Sequence, residues 1–376
     1  MEAYITRMAA FLPNAPVDND HMEQLLGMID GKPSRTRRII LRNNGIKLRH
    51  YAIDPATGAF THNNATLTAA AVRKLNLEQP PQCLCCGTST PDQIMPGHAA
   101  MVHGELGQAP CEIVTTSGIC ISGIMALKYA CLQVAAGQTE TAVATGSELA
   151  SSFMRAPMCA AETISPAQLE QAPQLAFDSD FLRWMLSDGA AAALVAAQPA
   201  PTGISLRVEW IEQRSFANEL ATCMYAGAAK NADGSLRGWR EFDSLAQALK
   251  ERAFLVKQDV KLLNSEIITT AVERALLPII ARHNLNAADI TWFLPHYSSE
   301  YFRQRLYNGM QSAGFDIPME RWFSNLTTRG NTGAASIYIM LEELLGSGKL
   351  RRGDTILCFV PESGRFSMCY MLLTVV

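Results

Sequence analysis

The sequence predicts an α/β protein built from two similar halves, and three observations carry that prediction. Short apolar runs alternate with longer amphipathic or small-residue segments through the 376 residues. Several of the runs are apolar throughout, as central strands buried on both faces of a sheet are. The halves also echo each other: a strand, a turn rich in Gly, Ser or Thr, then a helix opened by small residues. That pattern reads GICISGIMALKYA in the first half and GNTGAASIYIMLEEL in the second.

Taken in order, QCLCCGTST reads as a buried strand ending in a loop, and His98 and His103 fall in a helical segment. Strands are predicted at CEIVTT (111–116), TAVATGS (141–147), AAALVAA (191–197), ITWFLPH (290–296) and DTILCFV (354–360). Helices are predicted over 121–136, 265–284 and 334–346. The Pro/Gly-rich PAPTG at 199–203 sets a boundary, giving halves of 1–200 and 201–376. Residues 205–255 pattern weakly and contain polar stretches such as KNADGSLRGWREFD, so loops or an insertion are expected there.

Composition excludes several functions. With 48% hydrophobic and 18% charged residues and a formal charge of −3, nothing favours nucleic acid or an anionic membrane as partner. The run Arg35-Thr36-Arg37-Arg38 reads as a solvated loop. No signal peptide precedes Pro13 and no apolar run has membrane-spanning length, which predicts a cytoplasmic protein. Ten cysteines in that compartment predict free thiols. Cys83, Cys85 and Cys86 lack a downstream Cys or His pair at zinc spacing, so no metal is expected. No G-x-G-x-x-G follows a strand, and no flavin, nicotinamide or other cofactor is expected.

Three residues could carry chemistry. Cys120 lies between Gly118 and Gly123 in TTSGICISG, ahead of a small-residue helix. A thiol at a helix N-terminus has its ionisation favoured by the dipole and free amides, and those amides can receive an acyl oxyanion. The bland alternative is a small hydrophobe filling a gap. His296, in TWFLPHYSSEYF, stands where a strand empties into a loop, as a catalyst or as a satisfied structural histidine. Asn331, in RGNTGAAS, reads as a helix N-cap or as an exposed amide donor.

Together these motifs resemble the β-ketoacyl-acyl-carrier-protein synthase III family of the thiolase superfamily. The resemblance runs nearly end to end, through RNNGIKLRHYA, CLCCGTSTPDQIMPGHAAMVHGELG, TTSGICISGIMAL, ATGSELAS, SDGAAAALV, LPH and GNTGAAS. It implies the five-layered αβαβα thiolase fold and a homodimer. It implies that Cys120 accepts the acyl group, that His296 and Asn331 polarise the second thioester, and that the Cys120 and Gly364 amides form the oxyanion hole. It further implies that the substrates are thioesters of acyl carrier protein or coenzyme A.

Departures from that pattern narrow the reading. The family's His-Gln-Ala-Asn stretch is His296-Tyr297-Ser298-Ser299 here, and its glycine-rich C-terminal loop is Pro361-Glu362-Ser363-Gly364-Arg365. Glu362 and Arg365 are expected to pair with each other or to touch substrate. The Trp and Arg that clasp adenine in coenzyme A users are Ile39 and Asn43, which predicts a carrier-borne donor or a different coenzyme A pose. Met95 is expected at the floor of the acyl pocket, and Glu148 is either a base or a buried structural acid. The overall likeness points to ketosynthases that form cyclohexane-1,3-diones on the way to dialkylresorcinols. Acyl transfer to an alcohol or amine, and a non-catalytic partner subunit, are the rival readings.

Overall fold

The computed structural model describes residues 2–34, 36–160 and 181–376. Among the described residues nine strands form one sheet: β1 (Tyr4–Phe11), β2 (Cys83–Thr88), β3 (Glu112–Thr116), β4 (Thr141–Glu148), β5 (Gly189–Ala196), β6 (Leu206–Ser215), β7 (Trp292–Pro295), β8 (Thr355–Glu362) and β9 (Ser367–Val375). Their spatial order is β7-β8-β9-β6-β1-β5-β4-β2-β3. From β1 outward the order β1-β5-β4-β2 runs antiparallel, antiparallel, parallel. From β6 outward the order β6-β9-β8-β7 has the same three senses. A two-residue antiparallel bridge, Tyr4 with Arg207 and Ile5 with Leu206, joins the two sets.

Alternation along the strands sorts side chains into layers, because successive residues point to opposite faces. On β2, Cys83 and Cys85 face one cluster while Leu84 and Cys86 face another. On β8, Ile356, Cys358 and Val360 join the first cluster while Leu357 and Phe359 face a third. The shared central cluster holds helices α3 (Ile121–Ala135) and α6 (Ser336–Gly346) between the two sets of strands. Outside the first set lie α1 (Asn64–Arg73) and α2 (His98–Leu106). Outside the second lie the segment Val260–His283, begun by α4 (Val260–Thr269), and α5 (Tyr301–Ser312). The result is the five-layered αβαβα arrangement of the thiolase fold.

Local chemistry explains the key ends. Asn63 caps α1 by accepting from the Thr66 amide at 2.8 Å. The expected helix over 265–284 passes through a π-helical stretch, Thr270–Leu276, just before Pro278, which has no N–H to give. The expectation of loops over 205–255 fails for β6, a ten-residue strand in the middle of the sheet. Its Arg207, Glu209 and Glu212 form surface ion pairs, and that polarity masks the pattern. Arg37 and Arg38 begin a helix, Arg37–Asn44, in place of the expected loop, and Arg37 pairs with the buried Glu23; Arg35 lies outside the described residues. Among the described residues no helix is long and apolar enough to cross a membrane.

Candidate active site

Cys120 ends the turn that leaves β3 and opens α3. The turn closes tightly because Gly118 adopts φ +129°, a conformation L side chains rarely take. Thr116 Oγ1 donates to the Ser122 carbonyl at 2.7 Å, and Ser122 Oγ donates to the Ile119 carbonyl at 2.9 Å. Cys120 is half-buried. Its environment corrects the expectation of a dipole-stabilised thiolate. Burial, with the Glu148 and Glu362 carboxylates nearby, pushes the thiol far above its ordinary range, and only its own amide works in the other direction. Half a unit of helix charge loses to desolvation and two acids. The resting sulfur is a protonated thiol.

Asn331 comes from the far half of the chain, on a loop laid across the first. Its amide donates to the Met185 carbonyl at 3.1 Å, and its carbonyl accepts from the Ser187 amide at 2.8 Å. Its side-chain Oδ1 accepts from the Gly333 amide at 3.0 Å, while Thr332 holds the N-cap position of the short helix that follows. Nδ2 has no acceptor among the described residues. Three residues on, Ala334 meets the nucleophile's own supports. A Cβ on Gly123 of α3 would lie 2.1 Å from the Ala334 oxygen, and one on Gly146 of β4 would lie 2.2 Å from it. Tyr338 Oη donates to the Gly123 carbonyl at 2.8 Å. Backbone touches backbone here because glycine leaves the room.

Glu148 ties this junction together. Its carboxylate accepts from the Ser89 amide and hydroxyl, from Thr90 Oγ1 at 2.8 Å and from the Ala334 amide at 3.3 Å. Burial pushes its pKa up while the hydroxyls pull it back. So engaged, it holds the Asn331 loop in place.

His296 follows β7, its amide donating to the Phe359 carbonyl of β8 at 2.8 Å. Burial lowers its pKa to about 4, so the imidazole is neutral at pH 7. Among the described residues nothing hydrogen-bonds the ring.

The hairpin between β8 and β9 brings Gly364 beside Cys120, where an added Cβ would lie 2.6 Å from Ile119 Cδ1. Two expectations change here. Glu362 and Arg365 do not form the expected side-chain pair: Arg365 Nε turns to the Leu220 carbonyl at 3.2 Å. Glu362 is buried and accepts from the amides of Gly364, Arg365 (3.4 Å) and Ser367 (3.2 Å). The Gly364 amide, expected to face an acyl oxyanion, is therefore occupied in the free chain. Met95 is 80% exposed, on the loop that Gly97 sets against Thr115. Ile39 and Asn43 lie exposed on the helix Arg37–Asn44, whose last turn accepts from the Glu300 amide just past the His296 loop.

Sequence reasoning did not find the Ser89–Thr90 shelf, nor the glycine contacts at 123 and 146. A glycine inside a strand or helix can mark close backbone approach, and that was the available signal.

Known proteins resemble the chain along most of its length. Residues 39–199 match the family described as beta-ketoacyl synthase, N-terminal domain, and residues 280–371 match 3-oxoacyl-[acyl-carrier-protein] synthase III, C-terminal. The chain belongs to the ketosynthase III family. The beta-ketoacyl-[acyl-carrier-protein] synthase III of Xanthomonas oryzae is 24% identical over 360 residues, covering 94% of this ketosynthase and 92% of its own length. That of Clostridioides difficile is 23% identical over 359 residues, covering 94% and 93%. In fold, OleA of Xanthomonas campestris superposes with a TM-score of 0.75 at 18% identity, covering 100% of this ketosynthase and 98% of OleA. AbyA1, a tetronic acid condensing enzyme, gives 0.71 at 18% identity with 99% of each chain covered. This ketosynthase is an acyl-thioester condensing enzyme of the synthase III kind.

Proposed function

We propose that this enzyme joins two acyl thioesters through an acyl-Cys120 intermediate, and that its products are cyclohexane-1,3-dione precursors of dialkylresorcinols. Cys120 attacks the first thioester and expels its thiol. The second thioester enters, and His296 and the Asn331 Nδ2 hydrogen-bond its carbonyl as an enolate develops. The carbanion attacks the acyl-Cys120 carbonyl, whose oxyanion is received by the Cys120 and Gly364 amides. Glu148 acts through Asn331 as a positioning residue. The observation that carries this reading is the backbone contact of Ala334 with Gly123 and Gly146, which sets the Asn331 loop against the first turn of the Cys120 helix.

The repeated strand order supports reading 1–200 and 201–376 as two halves of one duplicated fold. A second copy of the chain is proposed along β3. It is the sheet's last strand, Ile113 on it is 40% exposed, and Gly97 brings the loop bearing exposed Ile94 and Met95 against Thr115. An uncovered apolar edge of this kind invites a matching one. The donor is proposed to ride on an acyl carrier protein, since neither Ile39 nor Asn43 can clasp an adenine. The dione assignment rests on the altered His296-Tyr297-Ser298-Ser299 and Glu362-Ser363-Gly364-Arg365 segments and on the likeness to AbyA1.

Product analysis tests this directly. The enzyme is charged with an acyl carrier thioester, or separately with acyl-coenzyme A. It is then offered a β-ketoacyl thioester, a malonyl thioester, or an amine or alcohol. A cyclised dione from the β-ketoacyl thioester supports the proposal. Discharge by amines or alcohols alone would replace condensation with simple acyl transfer.

A further inference from the structure

The resting site contradicts itself unless one residue moves. Its nucleophile is a protonated thiol, and its second oxyanion donor is already held by a carboxylate. Glu362 takes part in both, although burial and then Glu148 oppose ionisation of the thiol more strongly than it does. Glu362 takes the Gly364 amide, and its charge is one of the two that oppose ionisation of Cys120.

The hairpin on either side of the Gly364 amide is held: the Gly364 carbonyl, in the next peptide unit, accepts from the amides of Cys223 at 2.7 Å and Met224 at 3.2 Å, and Ser363 Oγ accepts from Gln258 Nε2 at 3.0 Å. The turn is fixed, so Glu362 must yield. Among nearby groups, His296 is a weak proton acceptor because burial favours its neutral form only down to about pH 4. Glu148 is tied to Ser89, Thr90 and Ala334, partners from both halves of the chain, whereas the three amides that Glu362 accepts from all belong to its own hairpin. Cys223 is a thiol kept protonated by burial, and Arg365 faces Leu220. Glu362 is buried, which raises its affinity for a proton.

Resting on the acyl-Cys120 mechanism above, we infer that Glu362 is the general base for Cys120 and that the same proton transfer frees the Gly364 amide. The Cys120 S–H bond breaks and a Glu362 O–H bond forms, directly or across one water. The product is a thiolate beside a neutral acid. A neutral carboxyl accepts more weakly than a carboxylate, so it releases the Gly364 amide to the incoming acyl oxygen. The thiolate adds to the thioester carbonyl, the old C–S bond breaks, and the leaving thiolate takes the proton back from Glu362. One proton thus arms the nucleophile and opens the hole together.

Glu362→Gln tests this with a change of sign, because the amide oxygen of Gln still caps the hairpin but cannot take the proton. The readout is the rate of acyl-Cys120 formation from an acyl-N-acetylcysteamine thioester, followed by intact mass from pH 6 to 9. The expected loss is about 100-fold at pH 7, within the range of general-base effects, with the variant's rate climbing about tenfold per pH unit. Glu362→Asp should keep the flatter wild-type profile. If Glu362 only repels the thiolate or only caps the turn, Glu362→Gln will acylate as fast as wild type or faster, and the inference is wrong. Should the Gln variant fail to fold, the wild-type profile decides: flat above pH 7 supports the base, and a tenfold rise per unit refutes it. Wild type that never forms the adduct would instead overturn the acyl-Cys120 reading itself.

Discussion

Replacing Gly146 by alanine should separate the two halves of the site by about one ångström. The added methyl would lie 2.2 Å from the Ala334 oxygen, 2.8 Å from its carbonyl carbon and 3.2 Å from Ala335 Cα. All three are backbone atoms, so no rotamer change relieves the clash. Overpacking a well-filled core typically costs about 1–3 kcal/mol, and a rigid obstacle belongs at the upper end. At about 2.1 cal/mol/K per residue of unfolding entropy, roughly 3 kcal/mol lowers the melting temperature of a chain this long by about 4 °C. The effect on chemistry should be larger, since the displaced element carries Asn331. A misplacement of about 1 Å can cost about 100-fold in rate. The assay pairs thermal unfolding with two rates, acyl-Cys120 formation and condensed product. Condensation should fall far more than acylation. Gly104→Ala is the control: that glycine lies on the exposed side of α2 with nothing within 4 Å, so alanine there should stabilise by about 0.5–1 kcal/mol. A Gly146→Ala variant as stable and as productive as wild type would refute the close approach.

Three further outcomes are expected. His296 titrates at about 4 when folded and 6.5 when unfolded, so the unfolded chain gains the proton first and stability falls as pH drops from 6.5 to 4, by roughly 3 kcal/mol. Asp188, pushed up to about 6, works in the opposite direction over an overlapping range. The clean measurement is therefore the difference between wild type and His296→Gln in urea unfolding, which should vanish as a function of pH above 7 and grow below it. Asn331→Ala should leave acyl-enzyme formation within about threefold of wild type while reducing condensation about 100-fold or more, the size seen for loss of one such donor. On the proposed pairing along β3 the enzyme should sediment as a dimer and the Ile113→Lys variant as a monomer, because a charge on an edge strand blocks edge-to-edge pairing.

Much of the fold was legible because its signals are local. Buried strands such as Thr141–Glu148 and Thr355–Glu362 are written as apolar runs, and the helices after Cys120 and Asn331 as small-residue starts. The strand Leu206–Ser215 was hidden because its charged residues are satisfied by partners far along the chain, Glu212 by Arg282 and His283. The site residues were legible as types in motifs. Their electrostatics were not. Whether a helix N-terminus yields a thiolate depends on which carboxylates the fold brings near, and Glu148 and Glu362 come from two different strand ends. The capture of the Gly364 amide depends on hairpin register, with Glu362 opposite Ser367. Met95 falls near a pocket position in the sequence, yet its loop carries it to the surface.

Everything in this account passes through one sulfur atom. The most direct measurement is peptide mass spectrometry of enzyme quenched after mixing with an acyl carrier thioester. The acyl mass should appear on the peptide containing Cys120, on that residue alone, and should disappear when the second thioester is added. An acyl group found on any other residue, or one that stays on Cys120 while product accumulates, would contradict the account.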